Sequence, residues 1–214
     1  MKTKFISILL GLFIITVILM NIFARQTIYQ NNLIAIDGGI IITWVAVVIS
    51  DVVTITRGPK ATIKMTILAI VTSLFVSLIL YLISFIPGVK NSNIYTKVFS
   101  GTWFVIISSA IAFVCSNSFD AILNHFIGNR FKDSKNKVAI TTRVIGSTAA
   151  STLLDNLIFN IFTFMIFAPI FLDGFHWTFV QCLFCALTYA GIEIVIEILM
   201  LPITYKCVKK IGNN

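Results

Sequence analysis

The stretch "IAIDGGIIITWVAVVISDVV", residues 34–53, is long and apolar enough to cross a bilayer, yet it carries Asp37, Asp51 and the pair Gly38–Gly39. A spanning helix needs about 20 apolar residues, and a carboxylate near its centre costs about 2.5–3.5 kcal/mol on insertion scales. An acid kept there is expected to face a cavity or a partner, not lipid. A straight helix through both acids would hold them roughly 21 Å apart, one toward each face of the membrane. The glycine pair has two readings of equal weight. It lets a ligand approach the backbone closely, or it is the turn that enters the helix.

The rest of the chain repeats this character. Of its 214 residues 58% are hydrophobic and 11% charged, with a mean hydropathy of +0.99. A soluble domain carries about 25% charged residues, so this chain lacks the polar surface that water requires. An all-α polytopic membrane protein is the expected class, a single integral domain over residues 1–214. Six apolar stretches separate at about 5–24, 34–56, 62–87, 98–126, 138–171 and 177–205. Pro87, Pro169 and Pro202 stand near the ends of the third, fifth and sixth, where proline is most easily accommodated. The first stretch, with Lys2 and Lys4 before it and Ala24 after it, resembles a signal peptide. Its apolar run exceeds the usual length of about 7–15 residues, which favours an uncleaved helix.

Basic residues set the orientation. Thirteen of the sixteen Lys and Arg fall on the side that holds both termini, and only Arg25, Lys90 and Lys97 fall on the other. The positive-inside rule then places both termini in the cytoplasm, with a bacterial plasma membrane as the setting. The net charge of +8 needs no nucleic-acid partner. The basic run "NRFKDSKNK" reads as a topogenic loop. Cys182 and Cys185 have C-x-x-C spacing but no second pair, and cysteine packs as a small hydrophobe in apolar segments. His125 and His176 lie at segment ends and form no ligand set. No metal and no cofactor is expected.

Six of the eight acids, Asp37, Asp51, Asp120, Asp155, Glu193 and Glu197, fall within or at the edge of apolar stretches. So many buried acids point to a polar pathway or binding cavity. In the fifth stretch Arg143, Ser147, Ser151 and Asp155 recur every four residues and share one helix face, with Thr148, Thr152 and Asn156 beside it. Such residues also glue helices together. Glu193 and Glu197 lie one turn apart, and ionising both is costly, so one is expected to be protonated or paired with a cation such as Arg143. That pair suits proton coupling and, nearly as well, a static hydrogen-bond network. Asp51, Asp120 and Glu197 also share a position, each six to ten residues before the first cytoplasmic base of its stretch.

These residues resemble a known family. "DGG" at 37–39 followed by Asp51 and Gly58 is similar to the D-G-G…D-x-x-x-E-x-Y-G signature of the VUT family, the queuosine precursor transporters. "IAF" at 111–113 followed by Asp120 resembles the family's fourth helix. "RVIGSTAASTLLDNLIF", residues 143–159, resembles R-x-x-x-S-T-x-x-S-Q-x-x-D-x-x-x-F without a gap, and "LPITY" at 201–205 resembles the closing T-P-x-x-Y. Ile55 and Arg57 depart from the family's Glu and Tyr, Trp44 from a proline, Asn117 and Thr152 from glutamines, and Glu193 from a lysine.

The resemblance implies six spanning helices and uptake of a small heteroaromatic solute such as a deazaguanine, with proton coupling as an option. The binding or coupling set would be Asp37, Gly38, Gly39, Asp51, Asn117, Asp120, Arg143, Ser147, Thr148, Asp155, Glu193 and Glu197. The alternative is a substrate-binding subunit of an ATP-driven vitamin system of the ECF type, which would dock an ATPase module on Ser7 and Gly11. An enzyme is not expected, since the chain has no H-E-x-x-H, no G-x-S-x-G and no P-loop.

Overall fold

Gly38 and Gly39 form a turn, and the helix of the second apolar stretch begins only at Ile40. In the computed structural model, residues 2–23, 27–30, 35–83, 86, 103–129, 137–171 and 176–212 are described. Helix α1 runs Lys2–Phe23, followed by strands β1 Thr27–Gln30 and β2 Ala35–Asp37. Helices α2 (Ile40–Arg57), α3 (Pro59–Ile83) and α4 (Trp103–Gly128) come next. The fifth stretch is continuous: α5 Lys137–Asn160, a π-helical segment Ile161–Phe167 and α6 Ala168–Phe171. Helix α7 spans Phe179–Gly212.

Three expectations are corrected here, and the one for Pro87 lies outside the described residues. Asp37 does not share a helix with Asp51: β2 pairs antiparallel with β1, Thr27 opposite Asp37 and Gln30 opposite Ala35. Glycine costs about 1 kcal/mol in a helix interior, so the pair at 38–39 ends the helix, and the residues before it join the β-favouring "TIYQ". Pro202 lies inside α7, not at its end, and the helix runs on to Gly212. Membrane helices tolerate such a proline because neighbouring groups satisfy the freed carbonyl. Helix α3 starts at Pro59, before the expected boundary, because the first helical turn has no use for the N–H that proline lacks. Gly58 makes the sharp joint from α2, with φ +85° and its N–H donating to the Thr54 carbonyl at 3.0 Å. A side chain there would be strained.

Among the described residues, five helical stretches are long and apolar enough to cross a membrane: Ile40–Arg57, Pro59–Ile83, Phe104–Gly128, Ile140–Ile170 and Phe179–Ile211. The apolar part of α1, Ser7–Phe23, is shorter. The lipid-facing side is plain on α3, where Leu68, Val71, Phe75, Leu78 and Leu82 are exposed at helical spacing.

Between the helices, Phe13 and Val17 of α1, Ile49 and Val52 of α2, Met65 and Ala69 of α3 and Val144 of α5 form one buried cluster. Lipid tails are as apolar as these side chains, so close packing and interhelical hydrogen bonds hold the bundle together. Small residues at the seams, such as Ala46, Ala69, Ala112 and Ala121, let the backbones approach. The bonds run between most neighbouring helices. Thr54 and Thr62 join α2 to α3 at 2.8 Å. Asn21 of α1 donates to Ser73 of α3 at 2.8 Å and accepts from Ser109 of α4 at 2.8 Å. Asn160 reaches the Cys182 carbonyl of α7 at 3.2 Å. Each such bond contributes about 0.6 kcal/mol on average.

Candidate functional site

A cavity of about 130 Å³ opens between α1, α2, α4, α5 and α7. It occupies the first half of α2, where Gly39, Thr43, Val47 and Ser50 line it, and the matching levels of its neighbours. Its acids are Asp120, Asp155 and Glu193. Phe113, Phe159 and Tyr189 give it aromatic walls. Behind Phe159 the ring of Phe164 stands edge-on at 6.2 Å and stacks on Trp177 at 4.3 Å, so the wall continues as an aromatic column.

Helix periodicity explains which polar groups meet. On α4, Ser116, Asn117 and Asp120 face α5 and α2. Ser116 Oγ donates to Asp155 Oδ1 at 2.6 Å. Asn117 accepts from Ser50 Oγ at 2.7 Å and donates to Thr66 Oγ1, so one amide links α2, α4 and α3. On α5, Ser147, Ser151 and Asp155 share the face that their four-residue spacing requires. Ser147 and Ser151 hydrogen-bond Asp120, the latter at 3.2 Å, while Asp155 takes Ser116 one and two turns higher. Thr148 lies on the same wall. Its hydroxyl is buried, the residue being 2% exposed, and has no hydrogen-bond partner among the described residues.

A second acidic layer lies beyond Asp120, out of the cavity. Ser50 lines the cavity, but the next residue on α2 turns away by about 100°. Asp51 is fully buried, and its Oδ1 accepts from Asn124 Nδ2 at 2.8 Å. Glu197 of α7 is 2% exposed and makes a carboxyl–carboxyl contact with Asp51. Asp51 Oδ2 and Glu197 Oε1 have no conventional donor. Ionised carboxylates accept and cannot donate, so such a contact calls for a shared proton or a cation between the two. Asp120 acts electrostatically on both and also lines the cavity, which makes it the link between the layers.

Gly39, Asn117, Asp120, Thr148, Asp155 and Glu193 of the expected set line the cavity. Gly38 is buried in the turn beside it, Ser147 supports Asp120, and Asp51 and Glu197 form the deeper layer. Glu193 lines the cavity, and Glu197, one turn further along α7, meets Asp51. The side chains of Asp37 and Arg143 lie outside the described residues, so the suggested pairing of Arg143 with a glutamate does too. Sequence reasoning passed over Asn21, Ser50, Ser116, Tyr189 and above all Asn124. Each is a polar or amphipathic residue in an apolar stretch, and Asn124 stands one turn after Asp120, on the same helix face.

Among the described residues, no group of three or more His, Cys, Asp or Glu is placed to hold a metal ion. A family model described as "Putative vitamin uptake transporter" matches residues 37–207. No curated protein and no solved structure matches the chain.

Proposed function

The chain belongs to the vitamin uptake transporter family, as a multi-pass protein of the cell membrane, and from that premise we propose that it imports a small flat heteroaromatic such as a queuosine precursor. The observation that carries this reading is a small cavity with aromatic walls and three carboxylates, between helices whose outer faces are apolar. Aromatic faces pack on a flat ring, and carboxylates accept from its N–H groups. A volume of about 130 Å³ is close to the about 150 Å³ of an engineered cavity that takes up benzene, which suits one ring system and not a large vitamin.

In this reading all 214 residues form one transport domain of six spanning helices with both termini cytoplasmic. The cavity binds the solute, and the proton held between Asp51 and Glu197 supplies the coupling. Asp120, which belongs to both layers, transmits occupancy from one to the other. The deciding experiment is rescue of a queuosine-deficient bacterial strain at limiting deazaguanine, read as tRNA modification. Rescue supports the reading. Failure of well-expressed protein to rescue overturns the substrate, and rescue only with a co-purifying ATPase replaces the autonomous carrier with a substrate-binding subunit. A reporter at Asn214 that reads as external would overturn the six-helix topology.

A further inference from the structure

The cavity closes differently at its two ends. Toward the deep acid layer, buried hydrogen bonds join the helices, Ser151 to Asp120 and Asn124 to Asp51. At the other end, where α2 and α7 begin, the cover is packing. Ile40, which lines the cavity, is buried in one cluster with Cys185 and Tyr189, and Ile36 of β2 and Trp177 pack onto that cluster. Phe164 stacks on Trp177 at 4.3 Å, and the Trp177 N–H donates to the Phe164 carbonyl at 3.1 Å. Leaving several buried polar groups unmet costs more than parting one aromatic pair, so the stacked end opens more cheaply.

Each side of that cover has a place to bend. Ile36 belongs to a pair of strands of four and three residues, joined to α2 by the Gly38–Gly39 turn. A two-stranded pair of this kind is marginally stable. Phe164 sits in the π-helical segment Ile161–Phe167, and π-helical turns are rare and frequent at functional sites. Thr163 in that segment is 2% exposed, and its hydroxyl has no partner among the described residues. In the α-helices, Thr16, Thr66, Thr152 and Thr188 donate to the carbonyl four residues back, at 2.8–3.0 Å. An α-helical turn through Thr163 would offer it the same bond, to the Phe159 carbonyl. The π-helical form leaves unmet a group that an ordinary helix would satisfy.

We propose that the Phe164–Trp177 stack and the turn from Ile36 to Ile40 form a gate over the cavity, hinged at the π-helical segment. In the closed form the segment is π-helical, and Phe164 holds Trp177 against the Ile40, Cys185 and Tyr189 cluster. In the open form the segment takes α-helical turns, and Thr163 gains the Phe159 carbonyl. The loss of one residue per turn rotates the later part of the stretch by roughly 100°, which takes Phe164 off Trp177. The bond gained at Thr163 offsets part of the stacking lost, so the two forms can exchange. Phe159 lines the cavity and stands edge-on to Phe164 at 6.2 Å, so a solute in the cavity acts on the hinge directly. The inference rests on the uptake reading above for what the gate passes, and in that reading this end faces outward.

Cys185 reports on the gate without any solute. It is 2% exposed, and Cys185, Tyr189 and Glu193 recur every four residues, which sets the thiol on the cavity face of α7 beneath the cover. The test is labelling of the full-length protein in nanodiscs by a small water-soluble methanethiosulfonate, with rates at Cys185 and Cys207 read by peptide mass spectrometry. Trp177→Ala removes the stack and should speed Cys185 labelling about three- to tenfold, while Cys207, toward the other end of α7, keeps its rate. Trp177→Phe keeps an aromatic partner for Phe164 and should label like the parent protein. Thr163→Val removes the bond that favours the open form and should slow Cys185 labelling about threefold or more. Unchanged labelling of Trp177→Ala overturns the gate, and so does equal acceleration at Cys207, which marks general loosening. Labelling of Trp177→Phe as fast as that of Trp177→Ala overturns the stack as the latch, and parent-like labelling of Thr163→Val overturns the hinge. Since labelling needs no solute, failure of the gate and failure of the deazaguanine rescue are read separately.

Discussion

Asp155 and Asp51 are the same residue type in the same kind of helix, yet their surroundings differ completely. Asp155 borders a cavity and takes a hydrogen bond from Ser116. Asp51 has no exposure at all, with Asn124 on one oxygen and Glu197 against the group. The difference teaches that an intramembrane acid acquires its role from what surrounds it. At a cavity it is open to a solute, whereas in a closed seam it must be neutralised or paired to exist.

The largest effect should come from breaking the closed seam. Asp51→Ala removes the acceptor of the Asn124 amide and the partner of the buried Glu197 carboxyl, each at about 1–3 kcal/mol. At about 2–4 °C per kcal/mol for a chain of this size, the melting temperature in detergent should fall by roughly 10 °C. Asp155→Ala, whose donor Ser116 can still reach the Phe113 carbonyl beside the cavity, should fall by a third of that or less. Equal losses would erase the distinction between the two layers.

Transport should show the reverse order of sensitivity. Asp155→Asn keeps shape and expression but removes the charge, so uptake should drop about ten- to a hundredfold. Normal uptake by well-inserted Asp155→Asn protein would take this residue out of the site. Glu197→Gln should act differently. An amide replaces the shared proton with fixed N–H donors, which preserves the contact with Asp51 but leaves no proton to exchange. Uptake by this variant should lose its sensitivity to a protonophore while ligand binding to purified protein survives. A variant as protonophore-sensitive as the parent protein would make the Asp51–Glu197 contact structural.

Much of this was legible in the sequence. Period and spacing alone place Ser147, Ser151 and Asp155 on one face of α5, and the structure sets that face toward α4. The shared position of Asp51, Asp120 and Glu197 in three separate stretches also corresponds to one layer of the bundle. What could not be read was the partnering across helices. Glu193 and Glu197 look like a pair because one helix turn separates them, but helix rotation and the crossing of α2 give Glu197 to Asp51. The strand at Ala35–Asp37 was hidden because three residues, two of them apolar, beside a longer apolar run carry no period of their own. Only the glycine turn marks the change.

The smallest effect distinguishes two threonines and tests the comparison most finely. Thr54 and Thr148 are both buried, but Thr54 shares a hydrogen bond with Thr62 at 2.8 Å, whereas the Thr148 hydroxyl has no partner among the described residues. Valine matches threonine in shape and removes only the hydroxyl. Thr54→Val should destabilise the protein by about 0.6 kcal/mol, the average for an interhelical bond, because Thr62 is left with an unmet group. Thr148→Val should do the opposite, raising stability by about 1 kcal/mol, since it deletes a desolvated polar atom that gains nothing from the protein. The same substitution should weaken ligand binding several-fold, because the hydroxyl then missing is one that a bound solute would satisfy. Parallel melting curves with and without ligand separate these terms. If Thr148→Val instead destabilises the empty protein as Thr54→Val does, its hydroxyl serves the fold. The cavity would then lose the unpartnered group that marks it as a binding site.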